Sequence, residues 1–213
     1  MKVFWFGHAF FKIVLDDKII CIDPYDESIG YVVPKNLSCD ILLETHQHHD
    51  HNNESIINGK YELIKKSGKF FFNNISIEGL DTYHDEEMGE KRGGNISFIL
   101  RSKNYKIVHL GDLGCIPSDE VIEKIKGPDV LMIPVGGVYT IDKDVAFELT
   151  NKIKPRIIIP MHYKTERLKF DLDRVDGFIK KFKNVFYEEK LEINDSESLI
   201  KYNGDLVVLE YLG

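Results

Sequence analysis

Thr45-His46-Gln47-His48-His49-Asp50-His51 contains four of the eight histidines of this 213-residue chain. It directly follows a short apolar run at residues 40–44, which predicts a buried β-strand. Because successive side chains of a strand point to opposite faces, His46, His48 and Asp50 converge on one centre if the extended shape continues. Imidazoles and a carboxylate suit zinc, and also manganese or iron. The alternative is a solvated loop that is merely rich in histidine.

Further candidate ligands lie beside this stretch and after other predicted strands. His51 needs a turn to reach the same centre, whereas His49 should face away and be structural or exposed to solvent. His84, Asp112 and His162 each follow a predicted strand. Taken singly, a strand-end histidine is more often a surface or hydrogen-bonded residue. Together these residues supply the additional ligands that one loop cannot provide.

Strand and helix patterns alternate along the whole chain. Strands are predicted at residues 3–6, 10–15, 18–23, 40–44, 70–72, 75–80, 96–100, 106–110, 129–135, 156–159, 185–187, 198–202 and 206–211. Helices are predicted to follow the capping residues Ser118 and Asp142, and apolar residues recur at helical spacing over 172–182. No linker divides the chain. We therefore expect one α/β (α+β) domain over 1–213, with two mixed sheets packed face to face and helices outside.

The composition argues against several classes of protein. Lys and Arg total 28 against 35 Asp and Glu, and a net charge of −7 without a basic run argues against a nucleic-acid surface. No apolar run approaches the ~18 residues that a membrane span needs, and the first residues lack a secretion signal. The three cysteines are not closely paired and are interpreted as reduced. These features predict a cytoplasmic protein.

The order of the candidate ligands resembles a known family. T-H-x-H-x-D-H, then a histidine, then Gly-Asp, then a histidine resembles the metallo-β-lactamase superfamily of binuclear metal hydrolases. The resemblance implies that His46, His48 and His84 bind one metal ion, that Asp50, His51 and His162 bind a second, and that Asp112 bridges both. It also implies a four-layer αββα sandwich with the site at one edge of the sheets. The short stretch between His51 and His84 departs from the family pattern and predicts fewer outer helices in the first half.

Other motifs resemble one branch of the superfamily, the hydrolases related to ascorbate-6-phosphate lactonase. They are Gly7-His8, Tyr83-His84-Asp85, Arg92-Gly93-Gly94-Asn95, His109-Leu110-Gly111-Asp112, Pro134-Val135-Gly136-Gly137 with Tyr139-Thr140, and Pro160-Met161-His162-Tyr163. The resemblance implies two divalent ions, for which zinc is the favoured metal. It also implies a hydroxide shared between the ions that attacks a small anionic ester or lactone. A phosphorylated sugar lactone is the substrate that the branch suggests.

Positions beside the ligands suggest roles in substrate binding and proton transfer. Asp50 would bind a metal and orient the nucleophile. Tyr139 and Tyr163 are candidate proton donors or substrate contacts, although core packing is favoured for each. His8 in its Gly-His turn, and Arg92 in the glycine-rich loop after His84, are candidates for substrate contact.

Several further polar residues are weaker candidates. Asn95 is a substrate candidate that also suits holding the backbone of its loop. Lys164 and Arg167 could meet an anionic substrate, although a solvated charge is favoured for both. His109 is expected to hydrogen-bond a ligand.

Two other functions stay open at this stage. The first is a metal-dependent hydrolase that cleaves a different bond, namely a phosphodiesterase or phospholipase-like hydrolase. The second is a non-catalytic metal-binding module. The sequence lacks G-x-S-x-G, a Walker loop and H-E-x-x-H, which argues against serine hydrolases, nucleotide-phosphate loops and zinc-helix proteases. A small anionic molecule is the expected partner, and the oligomeric state, a homo-oligomer included, stays open.

Overall fold

Two β-sheets packed face to face form the centre of the computed structural model, which describes residues 1–195 and 197–213. The first sheet contains, in spatial order, β15 (Leu191–Glu192), β1 (Lys2–Trp5), β2 (Phe11–Leu15), β3 (Lys18–Ile22), β5 (Ile41–Leu43) and β7 (Glu62–Ile64). The second contains β14 (Val185–Glu188), β16 (Asp205–Leu209), β13 (Ile157–Met161), β12 (Val130–Pro134), β11 (Lys106–His109), β10 (Gly94–Arg101), β9 (Ile75–Tyr83) and β8 (Gly68–Phe72). A separate pair is formed by β4 (Leu37–Ser38) and β6 (Ile57–Asn58).

The first sheet lies between two apolar clusters. In β3, Ile20 and Ile22 belong to the core between the sheets, whereas Cys21 belongs to a second cluster on the outer face. Leu42 of β5 also faces the outer cluster. This alternation follows from the two-residue period of a strand, and it fixes which face of each strand meets the second sheet.

Side-chain caps and apolar spacing explain the two longer helices. The Ser118 hydroxyl accepts a hydrogen bond from the backbone N–H of Val121 at the start of α1 (Asp119–Ile125). The Asp142 carboxylate caps α2 (Lys143–Ile153) in the same way. Both helices therefore begin where the sequence predicts. Among the described residues, no helix is both long and apolar enough to cross a bilayer.

The α-helices cover the second sheet. β11, β12 and β13 run parallel and are joined through α1 and α2, so these helices lie on the outer face of that sheet. The outer face of the first sheet is instead covered by loops, through Tyr25, Tyr31 and Leu168 among others. The predicted α/β sandwich is confirmed, and in the described residues its α-helices all come from the second half of the chain.

The helical spacing over 172–182 yields only one short helix, α3 (Asp176–Ile179). Leu172 packs in the outer cluster of the first sheet, whereas Val175 and Phe182 pack against the larger cluster, which includes buried residues of α2 and α3. The apolar residues therefore serve two different clusters, and one continuous helix could not direct them to both.

The strand predicted at 198–202 is wrong. Glu197–Leu199 form a 3-10 turn instead. The Asp195 carboxylate accepts hydrogen bonds from the backbone N–H and the hydroxyl of Ser198, both at 2.7 Å. Such local side-chain contacts compete with strand pairing and favour a turn.

Candidate metal centre

Loops at one edge of both sheets carry the predicted metal ligands. The loop after β5 of the first sheet carries His46, His48, Asp50 and His51. Strands of the second sheet supply the others, with His84 after β9, Asp112 after β11 and His162 after β13. All of them are buried except His48, which is exposed. The two sheets therefore bring together residues that are far apart in sequence.

Asp112 lies close to four imidazoles of this cluster. Its Oδ2 atom lies 3.1 Å from Nε2 of His162, 3.2 Å from that of His51, 3.3 Å from that of His84 and 3.9 Å from that of His46. Two ligand atoms bound at about 2.1 Å to one tetrahedral cation lie about 3.4 Å apart. The distances around Asp112 match ligands that share a cation.

The donor atoms fall into overlapping groups. His46, His48 and His84 offer atoms within 4.8 Å of one another, and so do His8, Asp50, His51 and His162. His46, His51 and Asp112 form a third such group, which connects the other two. The first two groups coincide with the ligand sets that the resemblance implies, with His8 added to the second.

Several of these donor atoms have no partner within the protein. Nε2 of His46, Nε2 of His51 and Oδ1 of Asp112 are buried and make no hydrogen bond to any described residue. A buried polar atom without a partner costs about 1–3 kcal/mol. Nitrogen and carboxylate oxygen donors suit zinc, manganese or iron. The residues present therefore fit a divalent metal ion.

Asp23 orients two of the imidazoles. Its carboxylate accepts hydrogen bonds from the backbone N–H and the hydroxyl of Thr45, both at 2.8 Å, and lies 3.0 Å from Nδ1 of His51. Because the Thr45 hydroxyl donates to Asp23, it accepts from Nδ1 of His46 at 3.0 Å. Both imidazoles then carry their proton on Nδ1, which leaves Nε2 free to bind a metal.

The electrostatics keep the carboxylates ionised. Burial alone would raise the pKa of Asp112, but the imidazoles of His162 and His51 outweigh it and hold the pKa well below its usual range. Burial likewise opposes ionisation of Asp50, and His51 and His8 lower its pKa. Burial lowers the pKa of His46 to about 2. Ionised carboxylates and a neutral imidazole are the forms that bind metals.

Two glycines allow the ligand-bearing loops to approach each other. A Cβ atom on Gly136 would lie 2.0 Å from the carbonyl oxygen of His162. A Cβ atom on Gly114 would lie 2.2 Å from the carbonyl carbon of His84. Any other residue at either position would displace the backbone of a predicted ligand.

A cavity of about 340 Å³ borders the ligand cluster. Arg92 and Tyr139, two of the predicted substrate and catalytic residues, line it. The Arg92 guanidinium lies 5.5 Å from the centre of the Tyr139 ring, and its Nη2 donates to the Val138 carbonyl at 3.3 Å. Arg92 is the one Lys or Arg among the described residues that line this cavity.

Comparisons with known proteins agree with this geometry. Residues 2–162 match the family model of the β-lactamase superfamily domain. The chain belongs to the metallo-β-lactamase superfamily. It is 32% identical to the UPF0173 metal-dependent hydrolase of Thermoplasma acidophilum over 200 aligned residues. The aligned region covers 83% of this chain and 87% of that protein. It is 31% identical over 194 residues to a protein of the same description from Nanoarchaeum equitans, with 78% and 85% covered.

Two solved structures share the whole fold. A Thermotoga maritima protein, described as a candidate Zn-dependent hydrolase of this superfamily, is 34% identical, with a TM-score of 0.82 and 98% of each chain covered. Igni18, a metallo hydrolase from Ignicoccus hospitalis, shares the fold at 21% identity, with a TM-score of 0.70 and 100% and 95% covered. The chain is a metal-dependent hydrolase with a buried cluster of histidine and aspartate side chains.

Three predicted substrate residues, His8, Asn95 and Tyr163, do not line the cavity of about 340 Å³. His8 is buried, and its Nε2 lies 3.0 Å from Oδ2 of Asp50. Asn95 is buried and accepts a hydrogen bond from the backbone N–H of Asp112 at 2.9 Å. Tyr163 packs on Trp5 with ring centres 5.3 Å apart, and burial raises its pKa. These contacts favour positioning and packing over substrate contact.

The weaker candidates make contacts within the protein. The Lys164 ammonium donates to the carbonyls of Leu168 and Phe170, and Arg167 lies 5.1 Å over the ring of Tyr211. His109 contacts main-chain groups: Nε2 lies 3.1 Å from the Ala9 carbonyl, and Nδ1 accepts from the N–H of Gly111 at 3.1 Å. The expected hydrogen bond from His109 to a ligand side chain is not among its described contacts. His49 is exposed, as predicted, and borders the cavity.

Sequence reasoning missed three residues that shape the site. Asp23 ends a predicted strand, and the strand-end rule that found Asp112 could have found it. The Asp85 carboxylate accepts hydrogen bonds from the backbone N–H groups of four residues in the loop that carries Arg92, namely Glu87, Gly89, Lys91 and Arg92. Phe170 lines the cavity, and nothing in the sequence around it signals this.

Proposed function

We propose that this protein is a binuclear metal-dependent hydrolase that cleaves a small anionic ester or lactone. One observation carries the proposal: Oδ2 of Asp112 lies within 3.9 Å of imidazoles from both predicted ligand sets. In this proposal His46, His48 and His84 hold one cation and Asp50, His51 and His162 hold the other, with Asp112 between them.

Zinc is the proposed metal. The donor set combines imidazole nitrogen and carboxylate oxygen, which suits zinc and also accommodates manganese or iron. The description of the Thermotoga maritima relative as Zn-dependent supports this choice. When bound, such cations would lower the pKa of a bound water towards about 7 and would polarise the oxygen of the bond under attack.

Asp50 is proposed to orient the attacking water. The imidazoles of His51 and His8 lower the pKa of Asp50, so its carboxylate stays ionised and can accept a hydrogen bond from water. His8 lies 3.0 Å from Oδ2 of Asp50 and fixes the plane of this carboxylate. Asp50 therefore combines a metal-binding position with an acceptor for the water proton.

Arg92 and Tyr139 are proposed to contact the substrate. The Arg92 guanidinium borders the cavity and forms no ion pair with a described carboxylate, so it can pair with a carboxylate or phosphate of the substrate. The Tyr139 side chain is 41% exposed and lines the same cavity. Its hydroxyl is proposed to donate a proton to the leaving oxygen.

The resemblance of several motifs to the hydrolases related to ascorbate-6-phosphate lactonase adds a specific substrate to the proposal, a phosphorylated sugar lactone. Such a substrate places the scissile carbonyl and an anionic group in one small molecule. The predicted metal ligands and Arg92 border one cavity and offer a matching pair of positions.

The test combines metal analysis with a substrate screen. We expect two equivalents of zinc per chain by elemental analysis, and turnover of sugar-phosphate lactones that is lost in Asp112→Ala. Asp17→Asn, which removes an exposed carboxylate from the turn between β2 and β3, is the control and should keep full activity. Hydrolysis of bis-p-nitrophenyl phosphate without hydrolysis of any lactone would contradict the proposed substrate class and indicate a phosphodiesterase. Metal uptake without turnover of any substrate would contradict the proposed hydrolase.

A further inference from the structure

Phe170 forms a wall of the cavity beside the second predicted ligand group. Its ring centre lies 5.7 Å from the ring of His8, 6.2 Å from that of His49 and 6.4 Å from that of Tyr139. All three contacts are edge-to-face, with interplanar angles of 70°, 84° and 72°. Phe170 is half-buried, so part of its ring is available to a molecule in the cavity.

The loop that carries Phe170 is held in place on both sides of the ring. The Lys164 ammonium donates to the carbonyl of Leu168 at 2.9 Å and to that of Phe170 at 2.5 Å. The backbone N–H of Lys169 donates to the Ile29 carbonyl at 2.8 Å. The Lys164 bonds close the loop on itself, and the bond to Ile29 joins it to the layer that covers the first sheet. Phe170 is therefore a preorganised wall, for which little ordering cost remains on binding.

Further anchoring comes from the start of the same loop. The Thr165 hydroxyl lies 2.7 Å from the Tyr31 hydroxyl, and Tyr31 is buried. A Cβ atom on Gly30 would lie 2.1 Å from the carbonyl oxygen of Arg167, so the two backbones approach closely. The contact with the protein thus extends from Thr165 to Phe170.

Three side chains of different chemistry follow one another along one edge of the cavity, namely Arg92, Tyr139 and Phe170. Arg92 lies over the ring of Tyr139, and Tyr139 in turn contacts Phe170. The edge therefore presents a cation at one end and an apolar ring at the other, with a phenol between them. A ligand that matches all three positions carries an anionic group and, beside it, a planar apolar group.

We propose that Phe170 is a specificity-determining residue, which selects substrates that carry a planar apolar group in addition to the anionic group held by Arg92. The proposal rests on the proposed function, because it concerns the substrate of the same site. It narrows the small anionic esters and lactones of the proposed function to those with an aromatic or conjugated portion near the scissile bond. A phosphorylated sugar lactone meets this requirement only where its ring carries a conjugated double bond.

The test compares two ligands that share a head group. Phenylphosphonate carries a planar ring where methylphosphonate carries a methyl group, so the ratio of their dissociation constants measures the preference of the cavity for the ring. Isothermal titration of the zinc-loaded protein should show tighter binding of phenylphosphonate by about 2- to 12-fold, which is the range of one aromatic contact. The measurement needs no turnover.

Variants locate the preference in Phe170. Phe170→Ala should bring the ratio close to one while methylphosphonate binds as before, and Phe170→Leu should give an intermediate ratio. Phe71→Ala is the matched control, because Phe71 is 75% exposed on β8 and should leave the ratio unchanged. Arg92→Gln should weaken both phosphonates by the same factor. Melting temperatures check that each variant is folded.

The outcomes separate this proposal from the proposed function. A ratio near one in the unaltered protein, a ratio that Phe170→Ala does not change, or no binding of either phosphonate would overturn the role of Phe170, even if lactones are hydrolysed. A preference for phenylphosphonate that Phe170→Ala removes, in a protein that hydrolyses nothing, would support the role of Phe170 and overturn the hydrolase proposal.

Discussion

Replacing Asp23 by asparagine should weaken metal binding without altering any predicted ligand. Oδ2 of Asp23 accepts from the Thr45 hydroxyl at 2.8 Å and from Nδ1 of His51 at 3.0 Å. An amide nitrogen in that position donates instead of accepting, which favours the His51 tautomer with its proton on Nε2. That proton occupies the lone pair that would bind the cation.

The magnitude follows from the loss of one outer contact to a ligand. Such losses reduce metal affinity by about 10- to 100-fold, or about 1.4 to 2.8 kcal/mol. Competition with a chromophoric zinc chelator measures both sites, and we expect both to weaken, because Asp23 contacts His51 directly and His46 through the Thr45 hydroxyl. Asp26→Asn is the matched control, because Asp26 is an exposed carboxylate that caps a 3-10 turn. Unchanged affinity at both sites in Asp23→Asn would refute the reasoning about the tautomer.

Three further changes test other parts of the structure. His46→Ala or Asp112→Ala should abolish turnover with little loss of folding, because these loop residues contribute more to the site than to the core. Initial rates measure the turnover, and circular dichroism checks the folding. Activity equal to that of the unaltered protein in a metal-stripped variant would contradict the proposed metal-dependent mechanism. Gly136→Ala should lower the melting temperature and the zinc content, because its Cβ would lie 2.0 Å from the His162 carbonyl, whereas Gly94→Ala meets its nearest atom at 4.0 Å and should be tolerated. Burial lowers the pKa of His109, so its imidazole stays neutral in the native state, whereas in the unfolded chain it binds a proton near pH 6.5. The contribution of His109 to the free energy of unfolding is therefore fully present above about pH 6.5. It is lost at lower pH, by at most about 1.36 kcal/mol per pH unit. Melting temperatures of the metal-free protein between pH 7 and 5 should therefore fall less steeply in His109→Gln, and parallel curves would show that His109 does not titrate on unfolding.

The sequence was informative about ligands because their residue types are rare and their spacing is regular. His46, His48 and Asp50 alternate directly after an apolar run, and that pattern is local. His84, Asp112 and His162 each end a run of strand-forming residues, so the same local rule found them. The structure brings all of these residues together at one edge of the sheets.

Contacts between distant segments carry no such local signal. Asp23 differs from other strand-end aspartates only because Thr45 and His51 lie beside it. Phe170 lies in a loop without regular structure, and its place in the cavity depends on bonds from Lys164 and to Ile29. The asymmetry of the outer layers could be predicted only in part, from the short stretch between His51 and His84.

The predicted ligands come from opposite sides of the sandwich, His46 and His51 from one sheet and His84 and His162 from the other. Each cation held there would cross-link the two halves of the chain. The concentration of free metal and the stability of the packing between the sheets are then thermodynamically linked. Free metal at 1,000 times its dissociation constant would favour the native state by about 4.1 kcal/mol. A chelator should then let the sheets separate at this edge before either sheet loses its own strands, and slow amide exchange at the ends of β5 and β13 would mark the metal-bound molecule.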